Sequence, residues 1–175
     1  KNGFGWTVLD WALYYRGLGF SVIPVCSPAD AEHYHGDIKC EKSGKIPIVK
    51  WTTYQSELAS QEQIREWFGE QFPNANIGLV MGKVSGRILI DFDMSEEEML
   101  NDEVYKQLPK TVMAKTGRGF HLFFKHPGRL VRNSTKELGD NIDVKGDAGF
   151  AIVEPSLHKD GNRYEWVIGP DEIDF

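Results

Sequence analysis

The segment Arg87-Ile88-Leu89-Ile90-Asp91-Phe92-Asp93 constrains this chain more than any other. Side chains alternate across a β-strand, so residues two apart share a face. Ile88, Ile90 and Phe92 then form one apolar face, and Asp91 and Asp93 project together from the other. Two later segments repeat the pattern. In His121-Leu122-Phe123-Phe124-Lys125, Leu122 and Phe124 take one face while His121, Phe123 and Lys125 take the other. In Asn141-Ile142-Asp143-Val144-Lys145, Ile142 and Val144 are apolar and Asp143 and Lys145 share the opposite face. If these strands lie in one sheet, three carboxylates, an imidazole and two ammonium groups crowd onto its open face.

The remaining pattern supplies the frame. Trp6 to Gly17 reads as a helix with an apolar stripe, ended by Gly17 and Gly19, and Phe20 to Val25 as a short strand. A long polar segment runs from Cys26 to about Lys50. Ser60 with Gln63 makes a capping box for a helix through Ile64, Trp67 and Phe68, which Pro73 stops. Ile77–Met81 and Arg87–Asp93 read as strands joined by a hairpin-like turn, Gly82 to Gly86. Ser95 caps a helix with an acidic first turn that ends before Pro109. Strands follow at Thr111–Lys115, Phe120–Lys125, Asn141–Val144, Phe150–Val153 and Arg163–Val167. The expected class is α+β, a mainly antiparallel sheet covered by helices on one face. At 175 residues with 41% hydrophobic content, one domain over 1–175 with a substantial core is expected. No apolar run approaches the roughly 20 residues of a membrane span.

Net charge is -6, from 26 acidic and 20 basic residues, which as an average argues against nucleic acid. The average conceals segregation. Residues 106–136 carry eight bases and no acid, while the rest of the chain carries 12 bases and 26 acids. Three carboxylates held close repel one another, and divalent cations remove that cost. Carboxylate oxygens are the hard donors that Mg²⁺ and Mn²⁺ prefer, usually shared with substrate phosphates. Two such ions bridging a phosphoryl group are a standard device for nucleotidyl transfer, with nearby bases holding the triphosphate. Read singly, an Asp-x-Asp at a strand end also serves as a solvated turn, and His121 as an ordinary strand histidine. The combination favours a site.

The residues in order resemble the N-terminal domain of bifunctional DNA primase–polymerases, in the archaeo-eukaryotic primase superfamily. The resemblance runs from about Ala12 to Trp166, through ALYYRGLGFSVIPV, Gly44-Lys45-Ile46-Pro47 followed by Trp51, QIREWF, NIGLVMG, SGRILIDFD, KTGRGFHLFF and NIDVKGDAGFAIVEPSLHKDGNRYEW. It implies an RNA-recognition-like sheet paired with an N-terminal α/β unit. It implies synthesis and extension of primers from nucleoside triphosphates on a single-stranded DNA template. Asp91, Asp93 and Asp143 correspond to metal-binding carboxylates for two Mg²⁺ or Mn²⁺ ions, and His121 to the histidine that contacts the nucleotide's phosphates. Members are often plasmid or phage replication proteins of prokaryotic cells, acting in the cytoplasm, with a helicase domain further along. Gly119 stands where the wider superfamily often has Ser, and Glu154-Pro155-Ser156 where the tail usually reads Pro-Pro-Ser.

Secondary candidates surround these. Lys145 shares Asp143's face and is a triphosphate ligand candidate. Lys115, Arg118 and Lys125 flank His121 and are candidates for triphosphate or template. Arg129, Arg132 and Lys136 fit template or primer phosphates, with salt-sensitive binding expected. Lys45 is either a phosphate ligand or a solvated loop lysine. Cys26, His33, His35 and Cys40 supply the N and S ligands of a closed structural Zn²⁺ site, making 26–50 a candidate zinc-bearing insertion; failing that, they are loop residues. Ser156 reads as turn chemistry, His158 as a weak site candidate, and Glu154 as either near the sheet or solvent-facing. Two other readings stay open: a non-catalytic nucleic-acid-binding module of the same fold, and another two-metal enzyme, a nuclease or nucleotide cyclase.

Overall fold

A computed structural model describes residues 5–30, 34–35, 38–41 and 44–175, with main chain only at 34, 35 and 38. Helix α1 (Val8–Gly17) starts where Thr7 and Asp10 cap each other: the Thr7 side chain accepts from the Asp10 N–H, and the Asp10 carboxylate accepts from the Thr7 N–H at 2.8 Å. Gly19, at φ +88°, turns the chain into strand β1 (Ser21–Val25). Strands β2 (Tyr34–His35) and β3 (Ile38–Lys39) form a small ribbon. Helix α2 (Gln61–Arg65) begins at Ser60, whose hydroxyl accepts from the Gln63 N–H at 3.1 Å. The expected capping box is only half made, because the Gln63 side chain donates to Glu66 instead. A wider helical turn, Glu66–Gln71, carries the chain to Pro73.

The remaining elements are β4 (Asn76–Val80), β5 (Arg87–Phe92), α3 (Glu96–Asn101), β6 (Val112–Lys115), β7 (Phe120–Lys125), β8 (Ser134–Thr135), β9 (Ile142–Lys145), β10 (Phe150–Val153) and β11 (Glu165–Ile168). They build two main sheets, ordered β1-β4-β10 and β11-β6-β7-β5-β9-β8, with antiparallel pairing throughout. The hairpin expected between Ile77–Met81 and Arg87–Asp93 does not form. A strand has two edges, and those of β4 are taken by β1 and β10 while those of β5 are taken by β7 and β9. Only the bridge Gly82–Arg87 joins the turn. Ser85 directs the crossing: its hydroxyl donates to the Val80 carbonyl at 2.5 Å and accepts from the Ser21 N–H at 2.9 Å.

Both faces of the large sheet are covered, where one was expected to be open. Ile90, Phe92, Phe120, Leu122 and Ile142 pack with Met99 of α3 on one face. On the other, Leu89, Val112, Ala114, Phe123 and Trp166 pack with residues of α1, α2 and β4. Each large apolar side chain so buried contributes roughly 1.5–3 kcal/mol. A polar chain runs through this core: the Trp166 indole donates to the Tyr15 hydroxyl at 2.8 Å, which donates to the Glu154 carbonyl at 2.7 Å. The acid-bearing face opens as a cleft at Asp91, Asp93 and Asp143.

Asp147 ties three loops together beside that opening. Its carboxylate accepts from the Val131 N–H at 2.8 Å and the Lys83 N–H at 2.9 Å, and meets His126 Nε2 at 3.2 Å. Burial pushes its pKa up, but the Val131 and Lys83 amides and His126 outweigh that and leave it below its ordinary 3.8. A depressed carboxylate stabilises the fold above its unfolded value and loses that contribution as pH falls through its folded value. Asp147→Ala should therefore lose about 1–2 kcal/mol of unfolding free energy at pH 7. In urea titrations, the gap between variant and wild type should close as pH falls below 3.8.

Candidate active site

Strand β5 lies between β7 and β9, and its register decides the site. Asp91 faces His121 on one side and Asp143 on the other. Directly opposed residues share a face with Cβ atoms about 4.5–5.5 Å apart. Asp93 lies one residue past the end of β5, its N–H donating to the Asn141 carbonyl at 2.8 Å. Each acid meets its own base. His121 Nε2 is 3.6 Å from Asp91 Oδ1, Lys145 Nζ 3.2 Å from Asp143 Oδ2, and Arg118 Nη2 3.4 Å from Asp93 Oδ2. Among the described residues, no three His, Cys, Asp or Glu side chains converge as a ready metal cage.

His121 is buried, and its Nδ1 makes no hydrogen bond of good geometry. Burial holds the imidazole below its ordinary pKa; Asp91 pulls it back up, while Lys45 and Lys145 push it further down. The ring packs 5.9 Å from that of Tyr164. Burial raises the Tyr164 phenol, and the charges of Asp91 and Asp160 raise it further, so it stays a hydroxyl.

These groups border a cleft of about 540 Å³ between the two main sheets, into which Lys45, Lys136 and Lys145 also face. Of the basic candidates, Lys115 and Lys125 stand apart from it. Lys115 pairs with Phe120, which puts it on the opposite face of the sheet from His121. Lys125 shares His121's face but pairs with Arg87 at the far end of β5. Arg129 and Arg132 are exposed on the loop between β7 and β8. Sequence reasoning missed Trp51, Asn133, Thr135, Phe150 and Tyr164, which also line the cleft. Thr135 opposes Asp143 from a two-residue strand too short to show a period.

The tail residues are structural. The Ser156 hydroxyl accepts from the Ile77 N–H at 2.8 Å. The Glu154 carboxylate accepts from the Trp166 N–H at 2.7 Å, and the residue is partly exposed and does not line the cleft. His158 is buried 2.9 Å from Asp160 and does not line the cleft. Cys26 and Cys40 are buried thiols that form no disulfide. Burial pushes the Cys26 thiol up, and the neighbouring Cys40 thiol adds to the rise. His33 and the His35 side chain lie outside the described residues.

The mixed α+β frame is compatible with one recognised family. Residues 12–174 match the Prim-Pol family, described as "Bifunctional DNA primase/polymerase, N-terminal", and the chain belongs to that family. Membership supports nucleotidyl transfer of the primase/polymerase type, with nucleic acid and nucleotides as substrates. No curated protein matches the chain. No helix among the described residues is long and apolar enough to cross a membrane.

The turn before His121 has a steric requirement. The Thr116 hydroxyl accepts from the Gly119 N–H at 2.9 Å, and a Cβ on Gly119 would collide with the Phe92 carbonyl oxygen. Gly119→Ala should push the end of β5 aside, costing about 1–3 kcal/mol of stability in chemical denaturation. It should also impair whatever activity depends on Asp93.

Proposed function

We propose that residues 1–175 form one catalytic unit, a metal-dependent nucleotidyltransferase that makes and extends primers on single-stranded DNA from nucleoside triphosphates. The observation that carries this is the register Asp143–Asp91–His121 at the mouth of a lysine-lined cleft in a Prim-Pol family member. Asp91, Asp93 and Asp143 would hold two Mg²⁺ or Mn²⁺ ions. Their donor set fits hard cations, being all oxygen on adjacent strands of one face. Such ions, when bound, make the attacking hydroxyl more acidic and neutralise the leaving pyrophosphate.

The chain's own residues do the rest. Lys145 and Arg118, now paired with Asp143 and Asp93, would be released if those acids held cations. Lys145 and Arg118 then turn to the triphosphate, with Lys45 and Lys136 drawing it into the cleft. His121, held neutral by burial, donates one ring N–H to a phosphate oxygen. Arg129 and Arg132, outside the cleft, hold template or primer phosphates by salt-sensitive contacts.

The test incubates protein with Mn²⁺, labelled nucleoside triphosphates and single-stranded DNA, with and without a primer. Elongated product is expected. Asp91→Asn should reduce it at least about a hundredfold. Its melting temperature should hold or rise, because Asp91 and Asp143 are like charges directly opposed. Synthesis surviving in Asp91→Asn would sink the assignment. Binding without synthesis would identify a non-catalytic module; degraded template or cyclic nucleotide would identify another two-metal chemistry.

We also propose that Cys26 and Cys40, whose thiols meet, join His33 and His35 around one structural Zn²⁺. Elemental analysis of protein purified without chelator should find one zinc per chain, and Cys40→Ser should lose it together with several degrees of melting temperature. A metal-free wild type would leave the thiols as a buried pair.

A further inference from the structure

We propose that Trp51 and Phe150 form the platform on which the base of the incoming nucleoside triphosphate stacks. This rests on the nucleotidyltransferase reading and adds the part of the substrate that the carboxylates and lysines leave unheld.

The two rings meet edge to face, with centroids 5.3 Å apart and planes at 75°. Both are only half-buried, and both line the cleft that holds Asp91 and Lys145. Half-hydrated aromatic surface in a concave site is where a flat apolar ligand gains most. The carboxylates, His121 and Lys145 come from β5 and its end, β7 and β9, Lys136 follows β8, and Lys45 precedes Trp51 on its strap, whereas the rings come from the small sheet and its border. The cleft therefore offers aromatic surface to a base beside charged groups that suit phosphate. The volume of about 540 Å³ is that of a small-molecule site.

Both rings are carried on braced main chain. Trp51 follows a strap laid along β1, where the Cys26 N–H donates to the Ile46 carbonyl at 2.8 Å and the Ile48 N–H to the Pro24 carbonyl at 3.2 Å. The same strap carries Lys45, so one segment would reach both ends of the nucleotide. Phe150 ends the short connection from Lys145, in which a Cβ on Gly146 would strike the Val131 carbonyl and one on Gly149 the Asn133 side chain. That packing holds the platform at a fixed distance from Lys145, so little ordering cost attaches to binding. Ring faces carry no base-reading pattern, so the platform accepts all four bases and leaves selection to template pairing. A template base is the poorer occupant, because the exposed arginines Arg129 and Arg132 lie outside the cleft lining.

The test measures equilibrium binding, in Mn²⁺, of each deoxynucleoside triphosphate, of inorganic triphosphate and of a single-stranded oligonucleotide. Wild type is compared with Trp51→Ala, Trp51→Leu and Trp51→Phe. Trp51→Ala should weaken all four nucleotides by at least about fivefold. Inorganic triphosphate and oligonucleotide should bind as to wild type, and Trp51→Phe should largely restore nucleotide affinity. Trp51→Leu keeps apolar bulk and should still lose affinity, which answers for a misfolded Ala variant. Unchanged nucleotide binding overturns the proposal. So does equal weakening of inorganic triphosphate, or weakening of the oligonucleotide alone. A wild type that binds no nucleotide overturns both readings. Trp51-dependent nucleotide binding without any synthesis overturns only the nucleotidyltransferase reading.

Discussion

The structure hangs on the position of β5 between two antiparallel partners. Pairing with β7 brings His121 to one side of Asp91, and pairing with β9 brings Asp143 to the other. A slip of one residue in either ladder would exchange the core and cleft faces of that strand. It is resisted by two apolar surfaces at once. Ile90 and Phe92 are buried under α3, and Leu89 is buried among the helices of the N-terminal half. The same packing that stabilises the sheet therefore sets Asp91 directly opposite Asp143, a cost the fold offsets with Lys145 on Asp143 and Arg118 on the following Asp93.

Those bases link the architecture to chemistry. Lys145 shares a strand with the acid it pairs, Asp143, while Arg118 reaches Asp93 from a neighbouring turn. Exchange of such partners between carboxylate and phosphate needs little more than side-chain rotation. His121 differs, because its burial fixes the ring and keeps it uncharged against the wall formed by Tyr164. Mobile cations around a fixed neutral donor suit a site that must admit a polyanion and hold it in one orientation.

Much of this was legible in the chain. Period-two alternation placed Asp91 with Asp93, and Asp143 with Lys145, on common faces, and the α+β class followed from the order of elements. The β4–β5 hairpin was misread because strand and turn signals are local. They do not say that β4 already has β1 and β10 on its two edges. Lys115 was grouped with His121 for nearness in sequence, yet its register with Phe120 places it on the far face. Trp51 and Tyr164 stand in family-like segments, but nothing local marks them for the cleft, since an aromatic residue looks the same whether it fills a core or lines a cleft.

Residue identity and spacing alone establish the chemistry on offer: which acids share a face, where the bases gather, and which family's ordered motifs are present. These depend on side-chain identity and on spacing along one strand. What only the tertiary structure decided is which faces meet. It closed the far end of the acid-bearing face with helices, opened the near end as a cleft, and brought aromatic rings of the small sheet and its border into the same cleft as the carboxylates. Those outcomes depend on pairings between residues far apart in the chain, and such pairings are chosen by the burial of whole surfaces rather than by any local pattern.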